Sequence, residues 1–183
     1  MPAGGAMSPA LADRLAAVSR RIDAFNDAAG TLAAWLGVGT VVMCFASVYL
    51  RYAFGIGFTW MQESYIWTHV FSIMLGSGFA LLAGGFVRVD LLYERFGKRL
   101  KAGVDFAGTL LFMAPFLAMT AFSGWAFFLA SWKMNEASQQ QDGIAAVYAL
   151  KASLLIFVLV VGLQGLGLLA KSAAAAFAPP PEA

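Results

Sequence analysis

Residues 28–50 read AAGTLAAWLGVGTVVMCFASVYL, 23 positions without a formal charge. Three more charge-free runs follow at 64–87, 106–132 and 152–170, with lengths of 24, 27 and 19 residues. A helix that crosses a bilayer needs about 20 mostly apolar residues, because each residue advances about 1.5 Å along a hydrocarbon core about 30 Å thick. The four runs therefore predict four transmembrane helices.

The composition of the whole chain agrees with this prediction. Of the 183 residues, 61% are apolar and 12% are charged, whereas soluble domains have about 45–50% apolar and about 25% charged residues. A soluble domain of this size leaves about a third of its surface in water, so it could not bury so much apolar side chain. We therefore predict an all-α membrane protein. The formal net charge of +2 is too small to indicate a nucleic-acid partner.

Lysine and arginine are unevenly divided among the segments that connect the runs. The N-terminal segment, the connection between the second and third runs and the C-terminal tail together hold nine of them, and the other two connections hold three. Because lysine and arginine favour the cytoplasmic side of short membrane loops, both termini are predicted to face the cytoplasm.

The segments outside the four runs have patterns of their own. Residues 1–27 place apolar side chains at helical spacing, which predicts an amphipathic helix that either lies on the inner leaflet or extends the first span. A second amphipathic helical segment, with a basic face, is predicted in the inner loop around Leu92, Phe96 and Leu100. Residues 28–170 form the predicted membrane domain, and residues 171–183, rich in alanine and then proline, are predicted to be a flexible cytoplasmic tail.

Few polar side chains interrupt the runs, and none of them carries a charge near the centre of a span. His69 and Gln164 are the larger ones, and we expect His69 to be hydrogen-bonded within the helix bundle rather than to carry protons. With one histidine and one cysteine, Cys44, the chain lacks the residues of a two-histidine haem site, a dithiol centre or a zinc cluster. We predict no catalytic residue, no metal site and no cofactor.

The second run carries small side chains at steps of four residues, namely Ser64, Thr68, Ser72, Gly76, Ala80 and Gly84. Such a stripe lets another backbone approach closely, and close packing drives helix association in lipid. The partner is either another helix of this chain or a helix of another subunit. Glu63, just before the stripe, is predicted to lie in the first turn of the helix and to interact with the helix dipole. A pair with Arg51 across the short outer connection is the second option for this carboxylate.

The residues around the second run resemble the small permease subunit of tripartite ATP-independent periplasmic (TRAP) transporters. The series that carries the resemblance is Arg51-Tyr52, Phe58–Glu63 (FTWMQE), Gly76–Ala80 and Gly84–Asp90 (GGFVRVD). The family has an Arg-Tyr pair before a Trp-x-Glu-Glu segment, then a helix with small residues and a Gly-x-His-x-x-Val-Asp-like end. This chain departs from that pattern at Gln62, Leu82 and Phe86.

The resemblance implies a non-catalytic subunit of a secondary-active transporter in the bacterial inner membrane. Its partners would be a large permease subunit, which carries the substrate and sodium sites, a periplasmic substrate-binding protein, and membrane lipids. The solute implied is an organic acid. The residues that we expect to contact a partner or lipid are Arg51, Trp60, Glu63, Ser72, Gly76, Ala80, Gly84, Arg88 and Asp90.

The alternative is a self-sufficient four-helix carrier of the small multidrug exporter type. Such a carrier needs a carboxylate within a span to couple transport to protons. Glu63 is the one candidate, and the sequence places it at a membrane interface rather than at depth.

Overall fold

The computed structural model describes residues 9–85 and 96–176, and the regular secondary structure of these two ranges is entirely helical. This confirms the all-α prediction. The elements, numbered along the chain, are α1 (Pro9–Phe54), α2 (Thr59–Leu82), α3 (Lys98–Gly108), a single π-helical turn (Thr109–Met113), α4 (Ala114–Lys133) and α5 (Val147–Ala176). We call the end of the bundle with connections 55–58 and 134–146 the outer end, and the opposite end the inner end.

Four helical stretches are long and apolar enough to cross a membrane, as the charge-free runs predict. They are Asp13–Phe54, Thr59–Leu82, Leu100–Lys133 and Val147–Ala173. The first, third and fourth stretches are longer than the corresponding runs, because these helices continue through charged residues at their ends. The second span is displaced from its prediction, since α2 begins at Thr59 and ends at Leu82 rather than covering 64–87.

The N-terminal segment, as far as it is described, continues the first span. α1 runs without a break from Pro9 to Phe54, 46 residues that extend about 69 Å at about 1.5 Å per residue. Of the two alternatives for this segment, the structure therefore has the extension and not a separate surface helix. At the other terminus α5 continues through Ala176, so the predicted tail begins as helix; residues 177–183 lie outside the described ranges.

Two glycines end the first two helices. Gly55 follows α1 with a φ of +68° and Gly84 follows α2 with a φ of +71°, a left-handed backbone conformation that glycine adopts at little cost. The amide of Gly85 then donates to the carbonyl of Ala80 at 2.8 Å, which satisfies a carbonyl that the end of α2 would leave free. Because α2 has already ended, Gly84 is not a helical member of the small-residue stripe as predicted.

α5 is the central helix of the described bundle. It packs against α1, α2, α3 and α4, whereas α4 packs mainly against α5. The buried apolar core lies at this contact and consists of Leu117 on α4 with Val160 and Val161 on α5. A hydrophobic side chain on the far side of α4 is therefore left exposed, as Phe122 is at 81%.

The π-helical turn between α3 and α4 has a cause in the sequence. Pro115 lacks an amide hydrogen, and in a regular α-helix its ring would press on the carbonyl four residues before it, that of Leu111. In the wider turn the amide of Ala114 donates instead to the carbonyl of Thr109, five residues back. The chain therefore remains helical through Pro115, from α3 to the outer end of α4.

Candidate functional site

A polar network, buried at Asn26 and Gln164 and exposed at Lys171, joins α1 to α5 near the inner end. Lys171 Nζ donates to Asp23 Oδ2 at 2.7 Å, and Gln164 Nε2 donates to Asp23 Oδ1 at 3.0 Å. Gln164 Oε1 in turn accepts from Asn26 Nδ2 at 2.8 Å. We call these four residues the inner polar network. It satisfies Gln164, a polar residue whose burial in an apolar run would otherwise be costly.

The charge at one end of this network fixes the orientation of both amides. Because Asp23 can only accept, Gln164 must turn its NH₂ group toward it and its oxygen toward Asn26. Asn26, which is 0% exposed, then turns its own oxygen toward Gly78 on α2, and that oxygen has no hydrogen-bond partner within the described ranges. A Cβ atom on Gly78 would overlap Asn26 Oδ1 and lie 2.9 Å from Val160 Cβ. Three helices thus meet at a point where only glycine fits.

The small-residue stripe of α2 packs against α1 of the same chain. Thr40 Oγ1 donates to Thr68 Oγ1 at 2.9 Å, and Ser72 Oγ donates to the carbonyl of Ala33 at 2.7 Å. A Cβ atom on Gly76 would lie 3.4 Å from Ala33 Cβ, so the two helices are in close contact there. Of the two partners left open by the sequence, the structure has the helix of this chain. Further along the stripe, Ala80 is half-buried.

Glu63 holds the outer connection that leads into α5. Its carboxylate accepts a hydrogen bond from the hydroxyl of Ser138 and another, at 2.6 Å, from the amide of Ile144. The structure does not have the optional pair with Arg51, because both carboxylate oxygens are directed at this connection. Glu63 is also the fifth residue of α2 and lies beyond its first turn, so it is not the helix-start anchor that the sequence predicts.

A second carboxylate fixes the same connection to α5. Glu136 forms an ion pair with Lys151, and the Lys151 ammonium also lies 4.1 Å from the centroid of the Phe127 ring, within the range of a cation–π interaction. The hydrogen bond from Lys151 lowers the pKa of the Glu136 carboxyl below its ordinary value of 4.5. Next to this pair Trp132 and Tyr148 pack edge to face, with ring centroids 4.8 Å apart.

The lowered pKa of Glu136 predicts a pH dependence of stability. A carboxyl whose pKa is lower in the folded state stabilises the fold fully above its unfolded-state pKa, and this contribution is lost as the pH falls through the folded-state pKa. We therefore expect E136Q to lower the melting temperature by a constant amount between about pH 7 and pH 5, and by less at each step below about pH 4.5. Melting curves in detergent across this range measure the difference.

A matched control for this prediction lies in the same connection. Asp142 is exposed and has no ion pair among those of the described ranges, so D142N should not reproduce the pH-dependent difference. A difference between wild type and E136Q that persists unchanged down to pH 3 would contradict the role of the ion pair.

Two of the remaining predicted contact residues lie at the outer end of the bundle. Arg51 and Trp60 are exposed at the outer end. Arg88 and Asp90 lie outside the described ranges. His69 departs from its prediction, because it is exposed on α2 and no hydrogen bond within the bundle is found for it among residues 9–85 and 96–176. His69 is next to Thr68 in the sequence, but successive residues of an α-helix are rotated by about 100° about its axis. The side chain of His69 therefore does not share the face of α2 that carries the small-residue stripe.

No group of three or more His, Cys, Asp or Glu side chains that could hold a metal ion occurs in the part of the chain that the structure describes. Two helices of the described structure have wide exposed apolar faces. On α1 the exposed side chains include Trp35, Val41 and Phe45, and on α4 they include Phe116 and Phe122. Apolar faces of this extent belong in lipid or against another membrane protein.

Residues 40–177 match the model of one protein family, described as Tripartite ATP-independent periplasmic transporters, DctQ component. The chain belongs to the DctQ family. No curated protein and no solved structure is similar enough to match. The DctQ match confirms the resemblance read from the residues around the second run, and it makes this chain the small permease subunit of a TRAP transporter. DctQ is a component of a transporter and not an enzyme family.

Within this DctQ subunit, the sequence does not predict three residues of the contact between α1, α2 and α5, namely Asp23, Asn26 and Gly78. A signal for the first two was present, since Gln164 needs a polar partner and Asp23 and Asn26 lie three apart, on one face of a helix. Asp23 and Asn26 precede the matched range 40–177, so the inner polar network joins the family domain to the helix that leads into it.

Proposed function

We propose that this chain is a static scaffold of its TRAP transporter, supporting the large permease subunit in the sodium-coupled uptake of an organic acid that a periplasmic binding protein delivers. The observation that carries the proposal is that polar side chains in the spans form hydrogen bonds to other residues of this chain. The four charge-free runs hold no ionised residue, and Gln164, Thr68 and Ser72 are all engaged within the chain. A transport pathway keeps polar groups available for its cargo, whereas a support uses them to hold helices together.

We further propose that the chain lies in the bacterial inner membrane with both termini in the cytoplasm. The uneven distribution of lysine and arginine supports this orientation. The outer end, with the connection held by Glu63 and Glu136, then faces the periplasm and the binding protein. Arg51 and Trp60 at that end, and Arg88 and Asp90 at the other, are proposed as contacts with partner subunits or lipid headgroups.

Ser72, Gly76 and Ala80 have a different part in this proposal. By holding α2 against α1 they fix the surface that the pair presents to the large permease, and Glu63 does the same for the outer connection. Gly84 contributes by ending α2 at the inner end, where the segment with Arg88 and Asp90 begins.

The alternative, a self-sufficient proton-coupled carrier, requires Glu63 to be free to exchange protons. Both oxygens of Glu63 accept hydrogen bonds from Ser138 and Ile144, and the residue lies in the second turn of α2 at the outer end. A carboxylate held in this way at a membrane interface supports a structural role for Glu63.

Reconstitution in vesicles tests the scaffold proposal. We expect the large permease and the binding protein to take up labelled organic acids in response to a sodium gradient only when this chain is present, because the permease needs its support. This chain alone should move no label. Sodium-driven uptake by the permease and the binding protein in vesicles without this chain would refute the proposal, and so would uptake by this chain alone.

A further inference from the structure

One ionisable side chain stands in the middle of a membrane-spanning helix and points away from the bundle. His69 is the eleventh of the 24 residues of α2, about 15–20 Å from either end of the helix. It is exposed, and the side chains one turn before and after it, Ile66 and Ile73, are 48% and 54% exposed. We call these three residues the His69 face.

The His69 face is unlike the other exposed faces of the described bundle. An imidazole carries one donor and one acceptor nitrogen, and no hydrogen bond or ion pair is found for it within residues 9–85 and 96–176. The exposed centre of α1, with Val41 and Phe45, can be covered by lipid chains without loss. A polar ring at the same depth cannot, because hydrocarbon offers it no hydrogen-bonding partner.

Several other polar side chains in the spans form hydrogen bonds within this chain. Thr40 and Thr68 bond to each other, Ser72 bonds to Ala33, and Gln164 bonds to both Asp23 and Asn26. His69 lies one residue from Thr68 on the same helix and is excluded from all of these contacts. Residues 9–85 and 96–176 therefore offer it no partner at this depth.

We propose that the His69 face packs against a membrane helix of the large permease subunit, and that this helix places a hydrogen-bonding side chain opposite the imidazole. The inference rests on the proposed function and adds to it the surface through which the two subunits meet. Lipid hydrocarbon is the wrong occupant because it is apolar at this depth. Membership of the DctQ family implies a large permease subunit as a membrane partner.

Two substitutions separate the hydrogen bond from the shape of the side chain. His69→Leu keeps an apolar side chain of similar bulk and removes both nitrogens, whereas His69→Gln keeps a donor and an acceptor. Interhelical hydrogen bonds in membranes are worth amounts that correspond to about three- to thirtyfold in association. We therefore expect H69L to retain about three- to thirtyfold less large permease when the tagged chain is purified from co-expressing membranes, and H69Q to remain near wild type. The melting temperature of each variant alone should not fall.

Each outcome decides the matter. Equal retention of the permease by wild type and H69L would overturn the inference while leaving the scaffold proposal intact, whereas failure of the wild-type chain to retain the permease would overturn the scaffold proposal itself. A loss of melting temperature in isolated H69L would mean that the imidazole serves this chain, and would also overturn the inference. In a Cys44→Ala background, benzophenone maleimide attached to the thiol of His69→Cys should insert into a C–H bond of the permease on irradiation and cross-link the two chains; a cross-link to a second copy of this chain instead would contradict the chosen occupant.

Discussion

Gly78→Ala should destabilise the isolated chain by about 3 kcal/mol, because the added methyl group has no space. It would overlap Asn26 Oδ1 and approach Val160 Cβ to 2.9 Å, at the point where α1, α2 and α5 meet. Asn26 cannot move aside freely, since its NH₂ group is bonded to Gln164 and the residue is fully buried. Thermal unfolding of the purified chain in detergent measures the loss.

Gly39→Ala is the matched control for this substitution. Gly39 is also a helical glycine in a span, and a Cβ atom there would meet nothing within 4 Å. Since alanine is favoured over glycine in a helix interior by about 0.5–1 kcal/mol, this control should be neutral or slightly stabilising. Equal melting temperatures for both variants would show that the three helices are not in contact at Gly78.

Gln164→Leu should produce the second large effect, a loss of about 1–3 kcal/mol. The substitution removes the acceptor of one N–H of the buried Asn26 amide, whose NH₂ group keeps only a longer bond of 3.4 Å to the carbonyl of Ile22. It also removes one donor from Asp23. A buried polar group without a partner costs more than the mean value of a hydrogen bond, because its desolvation is no longer offset. Thermal unfolding again measures the effect.

A double-mutant cycle distinguishes this explanation from a simple change of packing. Once Asn26→Ala has removed the amide that needs an acceptor, adding Gln164→Leu should cost clearly less than it does in the wild-type chain. Ser153→Ala is the control, since Ser153 is buried in the same helix but bonds to the carbonyl of Leu150 in its own preceding turn. Strict additivity of N26A and Q164L would mean that the two amides are not coupled.

The membrane-spanning part of the fold could be predicted from the sequence, because it depends on local composition. A helix in hydrocarbon satisfies its own backbone hydrogen bonds, so a charge-free run of sufficient length is enough to specify it. The ends of the helices could not be predicted in the same way. Helix α1 continues inward past Asp23 and Asp27 because Lys171 on α5 is there to pair with Asp23, and that contact joins residues that are far apart in the chain.

The candidate site shows the same division between local and long-range information. The period of four in α2 correctly marks a close helix contact, since it follows from helical geometry alone. Glu63, in contrast, bonds to a connection more than 70 residues away, and no spacing near Glu63 encodes that choice over the nearer Arg51. The exposure of His69 depends likewise on which sides of α2 are taken by α1 and α5.

Because α1 is unbroken, its N-terminal part moves rigidly with the part that spans the membrane. The part before residue 28 extends about 28 Å beyond the predicted span, and the described helix has no proline after Pro9 and no loop at which that part could pivot. A change in tilt of about 10° within the bilayer would therefore carry the far end sideways by about 5 Å, with Asp23 and Lys171 moving together. A probe attached near Leu11 would therefore report the tilt of α1.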